Sequence, residues 1–114
     1  MQRQPARGEI WFVEFDPVRG REQAGKRPCL VFSVDKFNSG PAELVVVLPV
    51  TTRDKRIPFH VRVEPPEAGL KQPSFVKCED IRSISKLRLD RCWGAVSAVT
   101  MQAVEYRLRI LLGL

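Results

Sequence analysis

The chain predicts a mainly β protein: a small, strongly bent antiparallel barrel with one helix packed on it at the C-terminal end. Three observations carry this. Short apolar runs spaced like strands recur between residues 9 and 96, clusters of Gly, Pro, Asn and Asp separate them, and the hydrophobic period turns helical only after Ser97. With 114 residues, 44% of them hydrophobic, there is room for one domain spanning residues 1–114 with a real core, and not for two.

Taken in order, residues 1–7 read as a polar, frayed lead-in. Gly8 opens a first strand, Glu9–Phe15, and Asp16-Pro17 breaks it, because Pro17 offers no amide hydrogen and restrains the residue before it. There follows a basic, glycine-punctuated loop, Arg19-Gly20-Arg21-Glu22-Gln23-Ala24-Gly25-Lys26-Arg27-Pro28, with four cationic side chains against one acid. Pro28 leads into a second strand, Cys29–Val34, and residues 35–42, containing Asn38-Ser39-Gly40-Pro41, form a connecting loop. The run from Leu44 to Thr52 is β-branched and nearly continuous, as expected of a strand buried on both faces. Pro49 marks a bulge or an end in it, and Thr51-Thr52 leaves at its mouth.

Arg53-Asp54-Lys55-Arg56 is a charged turn, and Phe59–Val63 resumes alternation, so these two strands are predicted to pair as a hairpin. Ser74–Ile84 is one further extended run and Trp93–Val96 a last short strand. Beyond it Met101, Val104, Leu108 and Leu111 share a helical face, with Ser97 as N-cap and Gly113 as C-terminal stop.

A formal net charge of +6 favours a polyanionic partner, since cationic side chains that neutralise phosphates release counterions. The N-terminus has no apolar leader core and no run reaches the length of a membrane span, so a cytoplasmic protein without membrane contact is expected. Cys29, Cys78 and Cys92 lack any Cys-x-x-Cys spacing and read as buried reduced thiols, with a disulfide plus a leftover thiol as the weaker alternative. His60 is the single histidine and no acid or cysteine spacing suits a metal, so neither metal nor cofactor is expected, and His60 reads as a structural strand residue. No nucleophile elbow, Walker-type phosphate loop or dinucleotide fingerprint occurs. Chemistry is left to Glu22 and Arg27 in the loop and to Thr51 and Thr52 at the strand end.

The segments Arg7-Gly8-Glu9-Ile10-Trp11, Gly20 to Pro28, Pro49-Val50-Thr51-Thr52, Pro58-Phe59-His60-Val61, Glu79-Asp80-Ile81-Arg82 and Leu112-Gly113-Leu114 occur in one order across nearly the whole chain. In that arrangement the sequence resembles the MazF/PemK family of toxin endoribonucleases. The resemblance implies an SH3-like barrel of the CcdB/Kid/PemK type, a homodimer that cuts single-stranded RNA without metal, and a cognate antitoxin, MazE-like, that restrains it. It also implies a functional arginine at Arg27, a functional threonine at Thr51 and the loop acid at Glu22. Many relatives carry Gln where this chain has Asp80, a position that helps read RNA in some members, so the cleavage sequence is not carried over.

These residue types suit attack by the RNA 2′-hydroxyl on its own phosphodiester, which builds negative charge on non-bridging oxygens. Arg27 supplies a planar fork of donors that stays protonated, Thr51 a further donor, and Glu22 is the titratable group in the loop able to accept the 2′-hydroxyl proton. Glu22 as an ion-pair partner of Arg21 or Arg27 is an equal reading. Arg19, Arg21, Lys26, Arg53, Lys55 and Arg56 form a phosphate-tracking rim, with Gln23, Thr52 and Asp80 as further RNA contacts, and Arg82 either touches RNA or braces the barrel. Two other classes remain open. A related toxin family of the same fold poisons DNA gyrase through a tryptophan-containing C-terminus, which Leu112-Gly113-Leu114 does not offer, and a non-catalytic RNA-binding barrel would keep the charge alone.

Overall fold

A computed structural model describes residues 3–15 and 25–114. Seven antiparallel strands form one bent sheet: β1 (Glu9–Phe15), β2 (Gly25–Val31), β3 (Leu44–Thr51), β4 (His60–Val63), β5 (Ser74–Lys77), β6 (Arg82–Ser85) and β7 (Leu89–Ala95). Their order is β4-β5-β3-β2-β1-β7, with β6 also on β3. A short helix α1 (Asp35–Asn38) follows β2, and α2 (Ala98–Leu112) ends the chain. The sheet does not close into a full ring, but it is bent as a barrel and carries its helix as the sequence predicts.

The central strands are buried on both faces, which is why β3 reads as an unbroken apolar run. Trp11, Val13, Cys29, Val31, Val45, Val47, Ile84 and Leu89 form one core. The alternate residues Ile10, Leu30, Leu48 and Val50 form a second with Val61, Val63, Val76 and, from α2, Val104 and Leu108. A one-residue slip would exchange the two sets, so the register is strongly specified. Helix α2 starts where Ser97 Oγ accepts the amide of Thr100 at 3.2 Å, and it stops at Gly113, whose φ of 72° sets the left-handed cap. Of its predicted apolar face Val104 and Leu108 are buried and Met101 is half-buried, whereas Leu111 is exposed near the helix end.

Several expectations are corrected. β3 and β4 do not form a hairpin: β5 lies between them, pairing Val50↔Val76 and Thr51↔Phe75 with β3, and Val61↔Val76 and Arg62↔Phe75 with β4. The run from Ser74 to Ile84 is not one strand. A 3-10 turn at Cys78–Asp80 divides it, so that β5 and β6 both pair with β3 at different ends. β2 covers Gly25–Val31 in place of Cys29–Val34, the loop at 35–42 contains α1, and the last strand begins at Leu89, ahead of Trp93.

Residues 3–7 carry more contacts than a frayed lead-in would. The Arg7 amide donates to Asp35 Oδ1 at 2.7 Å, and its guanidinium bonds the Phe32 carbonyl and reaches Glu105 at 2.5 Å. Glu9 accepts from the Ala6 amide at 2.8 Å and from Trp11 Nε1 at 3.0 Å, and pairs with Arg3 at 2.7 Å. His60 has the structural environment expected of it. It is buried, with Nε2 2.8 Å from Glu79 Oε2 and Nδ1 without a partner among the described residues.

Candidate active site

β2 and β3 pair through Cys29↔Pro49, Leu30↔Leu48 and Val31↔Val47. The ladder gives out there, where Pro28 and Pro49 lack amide hydrogens. On its other side β3 pairs β5 there, at Val50 and Thr51. The same register continued past the last pair sets Arg27 opposite Thr51 on one face, at the point where the two strands separate. A groove of about 1270 Å³ opens at this seam, with Pro28, Pro49, Val50, Thr51 and Thr52 in its lining.

The groove is strongly cationic. Lys26, Arg27, Arg53, Lys55, Lys77, Arg82 and Arg88 line it, against Asp80 as the acid among the described lining residues. Asp80 is engaged by its neighbours: Arg82 Nη2 lies 2.7 Å from Oδ1 and Lys77 Nζ 3.5 Å from Oδ2. The Arg82 guanidinium also covers the Phe15 ring at 5.3 Å, so Arg82 braces this wall as well as facing the groove. Lys26 is tied to Asp90 at 2.8 Å. That hydrogen bond raises the lysine above its ordinary value and holds Asp90 below the usual carboxylate range.

Arg27 is half-buried, and its Nε is buried without a hydrogen-bond partner among the described residues. An unmet buried donor costs about 1–3 kcal/mol, which an incoming acceptor would recover. Thr51 is half-buried and its hydroxyl oxygen accepts the Arg53 amide at 3.2 Å, which fixes the oxygen and leaves its proton to donate. Next to Arg27 the Cys29 thiol is pushed up to about 12 by burial, and burial likewise raises Cys78 to about 11. Both stay neutral thiols near neutral pH; all three cysteines are free, as expected from their spacing, but Cys92 is half-buried where a buried thiol was expected.

The structure thus brings together Arg27, Thr51, Thr52, Lys26, Arg53, Lys55, Asp80 and Arg82 of the residues nominated from sequence. Arg56 is absent from the lining; its amide closes a turn by donating to Asp54 Oδ1 at 3.0 Å. Arg19, Arg21, Glu22 and Gln23 lie outside the described residues. Lys77, Arg88 and Phe15 were missed. Nothing local distinguishes them from other cationic or apolar strand residues, and only the docking of β6 and its flanks along β3 brings Lys77 and Arg88 to the groove. Among the described residues no three His, Cys, Asp or Glu side chains gather as a metal site would require, and no helix is long and apolar enough to cross a membrane.

A bent β-sheet whose central strands hold an arginine and a threonine in a cationic groove has the chemistry to receive a phosphodiester. The model of one family, described as PemK-like, MazF-like toxin of type II toxin–antitoxin system, matches residues 6–112, and the chain belongs to that family. It is 37% identical over 113 residues to Endoribonuclease MazF9 of Mycobacterium tuberculosis, covering 95% of this chain and 96% of the relative. Among solved structures it resembles MazF in a MazE–MazF crystal structure from Deinococcus radiodurans, with 31% identity, a TM-score of 0.83 and 99% of each chain covered. MazF from the same organism in another crystal form gives 31% identity and a TM-score of 0.80, with 99% of this chain and 100% of that chain covered.

Proposed function

We propose that this toxin is a metal-independent endoribonuclease that cleaves single-stranded RNA, messenger RNA included, and so inhibits translation and growth. The observation that carries the reading is that Arg27 and Thr51, opposite one another when the β2–β3 register is extended, line one groove whose charged lining residues, among those described, are all cationic except Asp80. The 2′-hydroxyl attacks the neighbouring phosphorus, the P–O5′ bond breaks and the leaving 5′-oxygen takes a proton from solvent, giving a 2′,3′-cyclic phosphate and a 5′-hydroxyl. Arg27 clamps the non-bridging oxygens with a fork that needs no deprotonation, and its unmet Nε donor supports this role. Thr51 donates to the same phosphate. Glu22 accepts the proton from the 2′-hydroxyl; its claim rests on sequence chemistry alone. Asp80 is the weaker candidate for that task, because Arg82 and Lys77 already occupy its oxygens.

Lys26, Arg53, Lys55, Lys77 and Arg88 hold the RNA backbone without specifying bases. The groove also suits an acidic, extended antitoxin segment that would cover it, consistent with the MazE–MazF assemblies of the Deinococcus radiodurans relatives. Work in the cytoplasm and as a homodimer belongs to the same reading; Leu44, which lines the groove, and Leu87, 90% exposed, offer apolar surface to a second copy.

The test is a cleavage assay on long single-stranded RNA in excess EDTA, with Arg27→Ala and Thr51→Ala alongside. Defined cuts by wild type, reduced at least 100-fold in Arg27→Ala, are expected. RNA left intact but retained by the protein would redirect the reading to a non-catalytic binder, and neither cutting nor retention would redirect it to a non-RNA target.

A further inference from the structure

A second cavity, of about 690 Å³, adjoins the groove at the Thr51–Thr52 strand end, sharing Pro28, Val50, Thr51 and Thr52 with it but not Asp80, Lys77 or Arg82. The shared residues place it directly beside the groove. Its remaining walls come from the turn after β4 and from β7, and neither the sequence pattern nor the proposed chemistry uses them. Val50, Leu70 and Trp93 make it apolar, while Lys71, Gln72 and Arg91 supply polar side chains at exposed positions.

The cavity is built, not incidental. A Cβ at Gly69 would meet the Trp93 carbonyl oxygen at 2.6 Å, and Gly69 has φ +75°, so glycine is what lets this turn lie directly against β7. Trp93 is half-buried and stacked on Phe12, with ring centroids 5.3 Å apart, which fixes the indole. The Gln72 carbonyl accepts from Ser74 Oγ at 2.9 Å, which anchors the backbone that carries the Gln72 amide. Among the described residues Lys71 and Arg91 have no ion-pair partner, and no acid is in the lining.

An apolar slot with an immobilised indole, one neutral amide and two cations that pair with no described acid matches a planar base attached to a phosphate. The geometry points to a nucleobase subsite: the cavity, which Asp80 does not line, takes the base of the RNA nucleotide next to the cleaved phosphate. Trp93 provides the stacking surface, Gln72 donates to and accepts from the base edge, and Lys71 and Arg91 hold the following phosphate. Stacking accepts any base, so selectivity at this position comes from Gln72. This rests on the reading that the cleaved phosphate lies at Thr51.

The probe is a single-stranded RNA oligonucleotide containing one mapped cut, made uncleavable by a 2′-deoxy sugar at that cut, with abasic versions at each flanking nucleotide. Tryptophan emission is followed in wild type and in Trp93→Leu; Trp11 is buried, so the difference between them reports Trp93. Quenching by the intact oligonucleotide is expected, lost in Trp93→Leu and in one abasic version only. Affinity should fall about tenfold or more in Trp93→Leu, with KM rising more than kcat falls. Gln72→Ala, at an exposed turn position that folding tolerates, should relax base preference at that one nucleotide. Quenching that persists with every abasic version, or an unchanged preference in Gln72→Ala, overturns the subsite while wild-type cutting still supports the nuclease. Quenching by an acidic peptide and not by RNA overturns it in favour of a protein ligand. No cutting of the all-ribose RNA by wild type overturns the nuclease reading itself.

Discussion

Arg27 shows how one side chain can be legible and still incompletely described. Its type, its proline neighbour and its loop mark it from sequence; its half-burial and unmet Nε donor do not. The fork makes a specific prediction: Arg27→Lys keeps the charge but loses the planar pair of donors, so turnover should fall about 100-fold with RNA affinity changed severalfold at most, measured by single-turnover cleavage. For Glu22 the expected result is loss of the acidic limb of the rate profile in Glu22→Gln, with the alkaline limb retained. An unchanged acidic limb would transfer the base role elsewhere. Lys77 and Arg88 escaped notice because being a groove residue is a property of where β6 docks, and single residues carry no trace of it.

The terminal helix illustrates the same division among elements. Ser97 and Gly113 announce its ends locally, but Glu67 is thirty residues away and completes the N-cap from another part of the chain. It accepts the Ser97 amide at 2.9 Å and the Thr100 hydroxyl at 2.6 Å. Burial pushes the Glu67 carboxyl up, and the bonds from Thr100 and Ser97 outweigh it, so the folded value lies below the ordinary 4.5. A depressed carboxylate stabilises the fold above its unfolded value and loses that contribution as pH falls through the folded one. Glu67→Gln should therefore cost ~1 kcal/mol at pH 7, allowing for solvent screening, with the difference from wild type shrinking as pH falls below about 4.5 and gone once pH is below the folded value. Chemical denaturation across that range measures it. The β3–β4 hairpin was misread for a related reason: adjacency in sequence suggested pairing, whereas the shared apolar face of β5 intervenes.

At the scale of the whole molecule, charge is the property most directly readable, and its distribution is not. A net +6 says polyanion; the concentration of cations around Thr51 says where. If the groove tracks phosphates, the logarithm of RNA affinity should fall linearly with the logarithm of salt concentration. Lys55→Ala and Arg53→Ala should each shallow that slope by about 0.7, with cleavage sites unchanged. Affinity measured between 50 and 200 mM salt, the range in which such slopes are commonly compared, checks it.

The pairing of β6 with β3 also bears on when the molecule becomes dangerous. Arg27 and Thr51 are synthesised first, the facing wall, from Lys77 through Arg82 to Arg88, emerges after them, and β1 waits longer still for β7. Strand pairings this distant in sequence cannot form until both partners have left the ribosome. A nascent toxin therefore carries its proposed catalytic pair with no groove around it until the wall from Lys77 to Arg88 has also left the ribosome, and over that interval the product cannot turn on its own template.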